Sequence, residues 1–244
     1  MSDLRTHASA AEASTACGLQ ILDWLRAAID QKGAATLAIS GGSSPKTMFA
    51  MFAQTAFPWD RVHLFWVDER GVPPTDEQSN FKLANDLWLA PGRFPASNVH
   101  RIEAELPPAE AAARYTQEIR GHFEILDQLN LTGDALPRFD AIHRGMGPDA
   151  HTASLFPGEP MIGNHSDICA AVWVEKFKQW RITLLPGVLE SASHTAMLVT
   201  GADKAGPLRS VLHESLDPMR YPAQIGSGEK TAWFLDAPAA AQES

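Results

Sequence analysis

The chain has 244 residues, of which 45% are hydrophobic, and a formal net charge of −9 at pH 7. This length suits one α/β domain, so we expect a single domain over residues 1–244. The acidic balance argues against nucleic acid as a partner. The longest apolar run (168–174) is too short to span a membrane, and no apolar signal segment opens the chain.

Only two cysteines occur, Cys17 and Cys169, and they lie far apart in the sequence. This usage excludes a disulfide framework and a clustered cysteine metal site, and it suits a reducing compartment. We therefore expect a cytoplasmic protein with no membrane partner.

Apolar spacing predicts a first helix over residues 8–31, stopped by Gly33. A strand at 36–39, a glycine turn at 40–45 and a helix from Pro45 follow. The later predicted strands are 62–67, 139–142, 170–174, 181–185, 195–199 and 231–235. The later predicted helices are 79–89, 107–130, 187–193 and 203–213. This alternation favours an α/β fold in which helices cover both faces of a mostly parallel sheet.

Ligands of such sheets bind beyond the carboxyl ends of the strands. The loops that follow the predicted strands are 40–45, 68–80, 144–152 and 200–204. We expect these four loops to meet at one edge of the sheet and to carry the chemistry.

The turn at 40–45 reads Ser-Gly-Gly-Ser-Ser-Pro and leads into a helix, so its backbone N–H groups can bind an anion. A P-loop needs glycine directly before its lysine, whereas Pro45 precedes Lys46 here. The turn therefore suits a single phosphate better than a triphosphate. An ordinary tight connection between strand and helix explains the same residues equally well.

Asp68, Glu69 and Arg70 follow the strand at 62–67, which places three charges at its carboxyl end. An arginine there can donate two parallel hydrogen bonds to phosphate or carboxylate oxygens, and Asp68 could hold its guanidinium in place. The alternative is a solvated loop, where most charged residues are found.

Residues 145–150 (Gly-Met-Gly-Pro-Asp-Ala) match the dinucleotide-binding pattern, with Asp167 further along the chain. The match arrives past the middle of the chain, and a Pro-Gly pair at 157–158 interrupts any following helix. We reject a dinucleotide cofactor on this context.

His151 follows a predicted strand on the ligand-binding edge, two residues after Asp149. Imidazole titrates near neutral pH and is the usual general base. A structural pairing with Asp149, without catalysis, explains the histidine equally well at this point. A metal site shared with His143 is the poorest option, because no clustered ligand motif supports it. A serine nucleophile has no G-x-S-x-G anchor.

Arg181 opens one predicted strand, and Lys204 lies in the first turn of a predicted helix. A cation at a helix N-terminus is disfavoured unless an anion is near. Both also have an ordinary interpretation as surface charges. Together with Arg70 and the glycine turn, they can form a local cationic site in an acidic protein. Salt screens the interaction between exposed charges beyond about 8–10 Å, so the nearby cations matter more to a ligand than the net charge of the chain. We infer a phosphorylated small molecule beside a histidine base.

Ordered blocks along residues 36–236 resemble those of the 6-phosphogluconolactonase family. The blocks are residues 40–45, 67–73 (Val-Asp-Glu-Arg-Gly-Val-Pro), 79–81 (Ser-Asn-Phe), 145–157 (Gly-Met-Gly-Pro-Asp-Ala-His-Thr-Ala-Ser-Leu-Phe-Pro), 200–205 (Thr-Gly-Ala-Asp-Lys-Ala) and 233–236 (Trp-Phe-Leu-Asp). The block at 145–157 is highly specific, whereas the turn at 40–45 is shared with glucosamine-6-phosphate deaminases of the same superfamily.

The resemblance implies a Rossmann-like α/β fold and hydrolysis of 6-phospho-D-glucono-1,5-lactone to 6-phosphogluconate, in the oxidative pentose phosphate pathway. It implies no cofactor and no metal requirement. His151 matches the catalytic histidine that activates water. The matching substrate-binding positions are Gly41, Gly42, Ser43, Asp68, Arg70, Arg181 and Lys204.

The chain departs from the family pattern at four positions. Ala150 stands where the family usually has glycine, and a positive φ there would strain alanine by about 1 kcal/mol or shift the loop. His143 and Arg144 replace residues that are typically apolar, and Gly71 replaces a small side chain.

Two other functions fit parts of the pattern. An amino-sugar-phosphate isomerase or deaminase shares the glycine turn and Asp68-Glu69, but residues 70–73 and 151–157 match the lactonase pattern instead. A non-catalytic sugar-phosphate sensor is disfavoured by His151 and by the lack of a basic DNA-binding segment.

Overall fold

The computed structural model describes residues 3–127 and 136–243, which form ten strands and six α-helices. The strands are β1 (Asp3–His7), β2 (Ala35–Ile39), β3 (Val62–Trp66), β4 (Asp68–Arg70), β5 (Val99–His100), β6 (Ala141–Arg144), β7 (Cys169–Val174), β8 (Gln179–Leu184), β9 (His194–Val199) and β10 (Thr231–Asp236). The helices are α1 (Ala10–Lys32), α2 (Lys46–Gln54), α3 (Asn80–Ala84), α4 (Pro108–Asp127), α5 (Pro186–Ser191) and α6 (Ala205–His213).

Seven strands form a parallel sheet in the order β1-β10-β9-β6-β2-β3-β5. The inner strands β2, β6, β9 and β10 are buried along nearly their whole length because both faces of the sheet are covered. Along β9, Ala196 and Leu198 pack into the core cluster that includes α1, whereas Met197 and Val199 pack into the cluster that includes α6. This alternation shows that helices cover both faces, which confirms the predicted α/β architecture.

The helix ends follow local capping chemistry. The Ser9 side chain accepts a hydrogen bond from the N–H of Glu12 at the start of α1, and the N–H of Gly33 donates to the Ile29 carbonyl at its end. The predicted helix at 79–89 is α3 followed by a π-helical turn over 85–89. The predicted helix at 107–130 is observed as α4, and its residues 128–130 lie outside the described residues.

The predicted strands 170–174 and 181–185 are observed as β7 and β8, which form a separate antiparallel sheet with β4. Only residues 175–178 connect β7 to β8, too few for the crossover that parallel strands require. The edge strands β1 and β5 were not predicted, because β1 is polar and largely exposed and β5 has two residues. Among the described residues, none of the helices combines the length and apolar character needed to cross a bilayer.

Candidate functional site

A cavity of about 180 Å³ opens at the carboxyl edge of the parallel sheet. Residues from the loops 40–45, 68–80, 144–152 and 200–204 line it, which confirms that these loops meet. All eight site residues proposed from the sequence line this cleft: Gly41, Gly42, Ser43, Asp68, Arg70, His151, Arg181 and Lys204.

The turn at 40–45 forms one wall of the cleft and is anchored from two sides. Ser14 of α1 donates to the Ser44 carbonyl at 3.0 Å, and the hydroxyls of Ser44 and Thr200 lie 2.8 Å apart. Gly42 adopts φ +101°, a conformation that side-chain-bearing residues rarely take. The turn therefore holds a fixed shape beside the cleft at the start of α2.

Glu69 organises the loop that carries the acidic and basic side chains. Its buried carboxylate accepts hydrogen bonds from the N–H groups of Arg70, Asn80 and Phe81 and from the Ser79 hydroxyl, at 2.7–2.9 Å. Burial raises the pKa of Glu69, although these four donors oppose the shift. Glu69 is thus a scaffold residue that ties β4 to the start of α3.

Asp68 is held by neutral donors and does not position Arg70 as the sequence suggested. Ser154 donates to its carboxylate at 2.7 Å, and the Asn80 amide donates to its carbonyl at 2.9 Å. The Arg70 guanidinium donates instead to the Gln78 carbonyl. Asp68 therefore faces the cleft as a buried carboxylate, fixed independently of Arg70.

Arg70 and Arg181 lie directly opposite each other in the register of β4 and β8. Like charges in such positions destabilise a sheet. The Nε atoms of both side chains are buried and lack a hydrogen-bond partner among the described residues. Burial lowers the pKa of Arg181, and Arg70 adds to that shift while Asp68 opposes it. Both arginines line the cleft, so the pair offers two positive charges to an anion bound there.

Lys204 lines the same cleft and is the residue directly before α6. Its ammonium pairs with Asp203, and its side chain is 17% exposed. A cation at a helix N-terminus is unfavourable unless an anion is near, and the Asp203 carboxylate is such an anion for Lys204. Lys204 is the third cation of the cleft, with Arg70 and Arg181.

His151 is the imidazole of the cleft, and Asp149 holds it. The Nδ1 atom of His151 donates to Asp149 at 2.5 Å, while Lys176 reaches the other carboxylate oxygen at 3.1 Å. Burial alone would raise the pKa of Asp149, but the bonds from His151 and Lys176 hold this pKa well below its usual range. The ring also stacks on Phe156, with centroids 4.1 Å apart. Because Nδ1 carries the proton toward Asp149, Nε2 is the basic nitrogen.

Gly147 and Ala150 form the turn that presents His151. The Ala150 N–H donates to the Gly147 carbonyl, and the Gly147 N–H donates to the His151 carbonyl. A methyl group on Gly147 would lie 2.0 Å from the His151 Nδ1, so this position requires glycine. Ala150 adopts φ +61°, the left-handed conformation that the usual glycine of the family favours.

We expect Ala150→Gly to change the free energy of unfolding by less than about 1 kcal/mol. Relief of left-handed strain, about 1–2 kcal/mol, is offset by the flexibility of glycine in the unfolded chain, about 0.4–1 kcal/mol, and by the loss of a buried methyl, about 0.8 kcal/mol. Urea unfolding measures this change. A gain of several kcal/mol would show that the strain at Ala150 is uncompensated.

His143 lines the cleft from β6, and both of its ring nitrogens are buried without a hydrogen-bond partner among the described residues. Burial lowers the pKa of His143 from 6.5 to about 4. Its neighbour Arg144 is fully buried and donates to the Ile225 carbonyl at 2.7 Å. The two unusual residues before the histidine loop therefore differ in role: Arg144 ties β6 to another loop, and His143 is an unpaired neutral imidazole.

We expect His143→Leu to flatten the acid dependence of stability. The unfolded chain binds a proton at His143 below pH 6.5, whereas the folded chain does so only near pH 4, so stability is lost as the pH falls through this window. At about 1.4 kcal/mol per pKa unit, the loss is about 2–3 kcal/mol by pH 4.5. Urea unfolding at pH 7 and pH 4.5 measures it. The exposed His165→Ala should keep the wild-type dependence, and an unchanged slope in His143→Leu would contradict the prediction.

Sequence reasoning did not assign three further residues to the site. Asn80 was part of a matching block, and its Oδ1 is buried in the cleft without a partner among the described residues. Ser154 lies in the histidine block and fixes Asp68. Lys176 had no local signal, because it reaches Asp149 only through the β7–β8 turn.

Comparisons with known proteins by sequence and by fold lead to one family. A family model described as glucosamine-6-phosphate isomerases/6-phosphogluconolactonase matches residues 8–233. A 6-phosphogluconolactonase of Nostoc sp. is 36% identical over 226 residues, covering 92% of this chain and 91% of that protein. One of Synechocystis sp. is 34% identical and covers 86% and 85%. The crystal structure of 6-phosphogluconolactonase from Thermotoga maritima has a TM-score of 0.82 at 26% identity, covering 97% of this chain and 100% of that one.

Proposed function

The chain belongs to the glucosamine-6-phosphate isomerase/6-phosphogluconolactonase family, and on that basis we propose that it hydrolyses 6-phospho-D-glucono-1,5-lactone to 6-phosphogluconate. The observation that carries the proposal is one cleft that combines a carboxylate-held imidazole with a cross-strand arginine pair whose buried Nε atoms have no hydrogen-bond partner among the described residues. The relatives named as 6-phosphogluconolactonases support the choice of lactone within the family. Both cysteines are free and buried, in keeping with action in the cytoplasm.

His151 is the general base of the proposed reaction. Its Nε2 takes a proton from a water molecule as the water oxygen attacks the lactone carbonyl. When the tetrahedral intermediate collapses, the bond to the ring oxygen breaks and His151 returns the proton to that oxygen. Asp149 stabilises the imidazolium between these steps. A positioned base of this kind contributes about 10²–10⁴-fold to the rate.

The cations and the glycine turn bind the phosphate in this proposal. Arg70 and Arg181 can each present two parallel N–H groups to phosphate oxygens, and Lys204 adds a point charge. Residues 41–43 line the same cleft, so their N–H groups can add to this site. Phosphate binding holds the lactone ring in place for attack by water.

Hydrolysis of freshly generated 6-phosphogluconolactone, measured above the spontaneous rate in the presence of EDTA, tests the proposal. We expect fast, saturable hydrolysis by the full chain. Glucosamine 6-phosphate is the comparison substrate, since the family also contains isomerases. Hydrolysis at the background rate by the folded protein, or turnover of the amino sugar instead, would overturn the proposal.

A further inference from the structure

Three histidines converge at the edge of the parallel sheet, outside the catalytic cleft. His63 lies on β3, His100 on the edge strand β5 and His122 on α4, and one nitrogen of each lies within 4.8 Å of the others. The His63 Nδ1 and His100 Nε2 atoms are 3.0 Å apart. We call these three residues the histidine cluster.

The cluster is built by tertiary packing. His63 and His100 are 37 positions apart and lie on neighbouring strands, where Phe65 pairs with His100. The ring of His122 packs 4.3 Å from that of His63 and 4.9 Å from that of His100. His63 lies near the start of β3, whereas Asp68 follows its end, roughly 16 Å away along the strand. The cluster is therefore separate from the catalytic site.

Glu118 orients His100 within the cluster. Its carboxylate lies 2.6 Å from the His100 Nδ1, so this nitrogen carries the proton and Nε2 faces His63 with its lone pair. A carboxylate on the far nitrogen is the usual partner of a metal-binding histidine. Hydrogen-bonded aromatic packing alone does not explain His122, whose Nε2 is buried without a partner among the described residues.

The distances between the three imidazoles can be compared with those of a zinc site. One nitrogen of each histidine lies within 4.8 Å of the others, and the His63–His100 pair is the tightest of the spacings given, at 3.0 Å. A tetrahedral zinc ion with bonds of about 2.0–2.1 Å to nitrogen needs ligand atoms about 3.3 Å apart. The spacing of His63 and His100 is close to this value.

We propose that His63, His100 and His122 bind one divalent transition-metal ion, best matched by Zn²⁺, with Glu118 as the positioning residue. Three imidazoles suit zinc, and a fourth ligand can enter from the surface cleft that His100 and His122 line. The ion would join the edge strand β5 to β3 and α4. Binding would stabilise the folded chain and leave lactone hydrolysis unchanged, so this proposal is independent of the proposed function.

Zinc titration of the tag-free, EDTA-stripped full chain tests the site. We expect one Zn²⁺ per chain by calorimetry and metal analysis, with a rise in the thermal midpoint that EDTA reverses. His122→Phe keeps a ring against Phe65 but removes the ligand, and should weaken zinc binding by at least about 100-fold, while Glu118→Gln should weaken it about 10–100-fold. His165→Ala, an exposed histidine paired with Glu190, is the control and should bind zinc as the wild type does.

Circular dichroism and melting in EDTA establish that His122→Phe is folded. Loss of the zinc-dependent stabilisation in this variant, with His165→Ala unaffected, supports the site. Equal zinc binding by wild type and folded His122→Phe overturns it, as does a wild type that takes up no zinc.

Discussion

Replacement of His151 by alanine is expected to lower kcat for lactone hydrolysis by about 10²–10⁴-fold. The KM should change by less than about threefold, because in the proposed complex the imidazole acts on the water, whereas Arg70, Arg181 and Lys204 hold the phosphate of the substrate. Steady-state kinetics of the variant and wild type, each corrected for spontaneous hydrolysis, measure both constants.

His165→Ala is the matched control, since it removes an exposed histidine that pairs with Glu190 at 2.9 Å. Its kcat should equal that of the wild type. If His151→Ala keeps kcat and raises KM instead, the histidine is a binding residue and the assignment of the base is wrong.

The second large effect is expected at Arg181, where alanine should raise KM by about 10–100-fold. A hydrogen bond to a charged group contributes about 1.5–3 kcal/mol, and each 1.4 kcal/mol is about tenfold in affinity. The kcat should stay within about threefold of the wild type, because Arg181 contacts the phosphate rather than the reacting carbonyl in the proposed complex. Kinetics and the thermal shift induced by 6-phosphogluconate measure the loss independently.

Two further variants show whether the rise in KM depends on the charge and the planar geometry of Arg181 or follows from the loss of any arginine. Arg181→Lys keeps the charge without the planar fork and should give an intermediate KM. Arg209→Ala removes an arginine of α6 that donates to the Gln242 carbonyl and is not one of the residues lining the cleft, and it should leave KM unchanged. A wild-type KM in Arg181→Ala would remove this residue from the phosphate site.

Local sequence signals predicted the main elements because each depends on neighbouring residues. The apolar spacing of α1 and the glycine that ends it are properties of a single segment, and the structure agrees with both. β6 shows the limit of such signals: it runs over Ala141–Arg144, two residues later than predicted, because His143 and Arg144 look too polar for a buried strand. Both are nevertheless fully enclosed by the tertiary fold.

The kinds of residue that line the cleft could also be predicted from the sequence. The glycine turn, Arg70 and His151 each follow a predicted strand, and parallel strands bring their carboxyl ends to one edge. The hydrogen-bond partner of each of these side chains could not be predicted from the sequence. The sequence predicts Asp68 as the partner of Arg70, but the fold places Ser154 against Asp68 instead.

Apolar periodicity and strand-end motifs are local, so they are enough to specify the α/β layering, the sheet edge where the chemistry lies and the residue types at that edge. Which of those residues face each other depends on the tertiary fold. The short turn after β7 folds β8 back against β4, which sets Arg181 opposite Arg70 and carries Lys176 to Asp149. Strand β5 likewise brings His100 to His63. Such pairings depend on strand register and packing between distant segments, and no single segment specifies them.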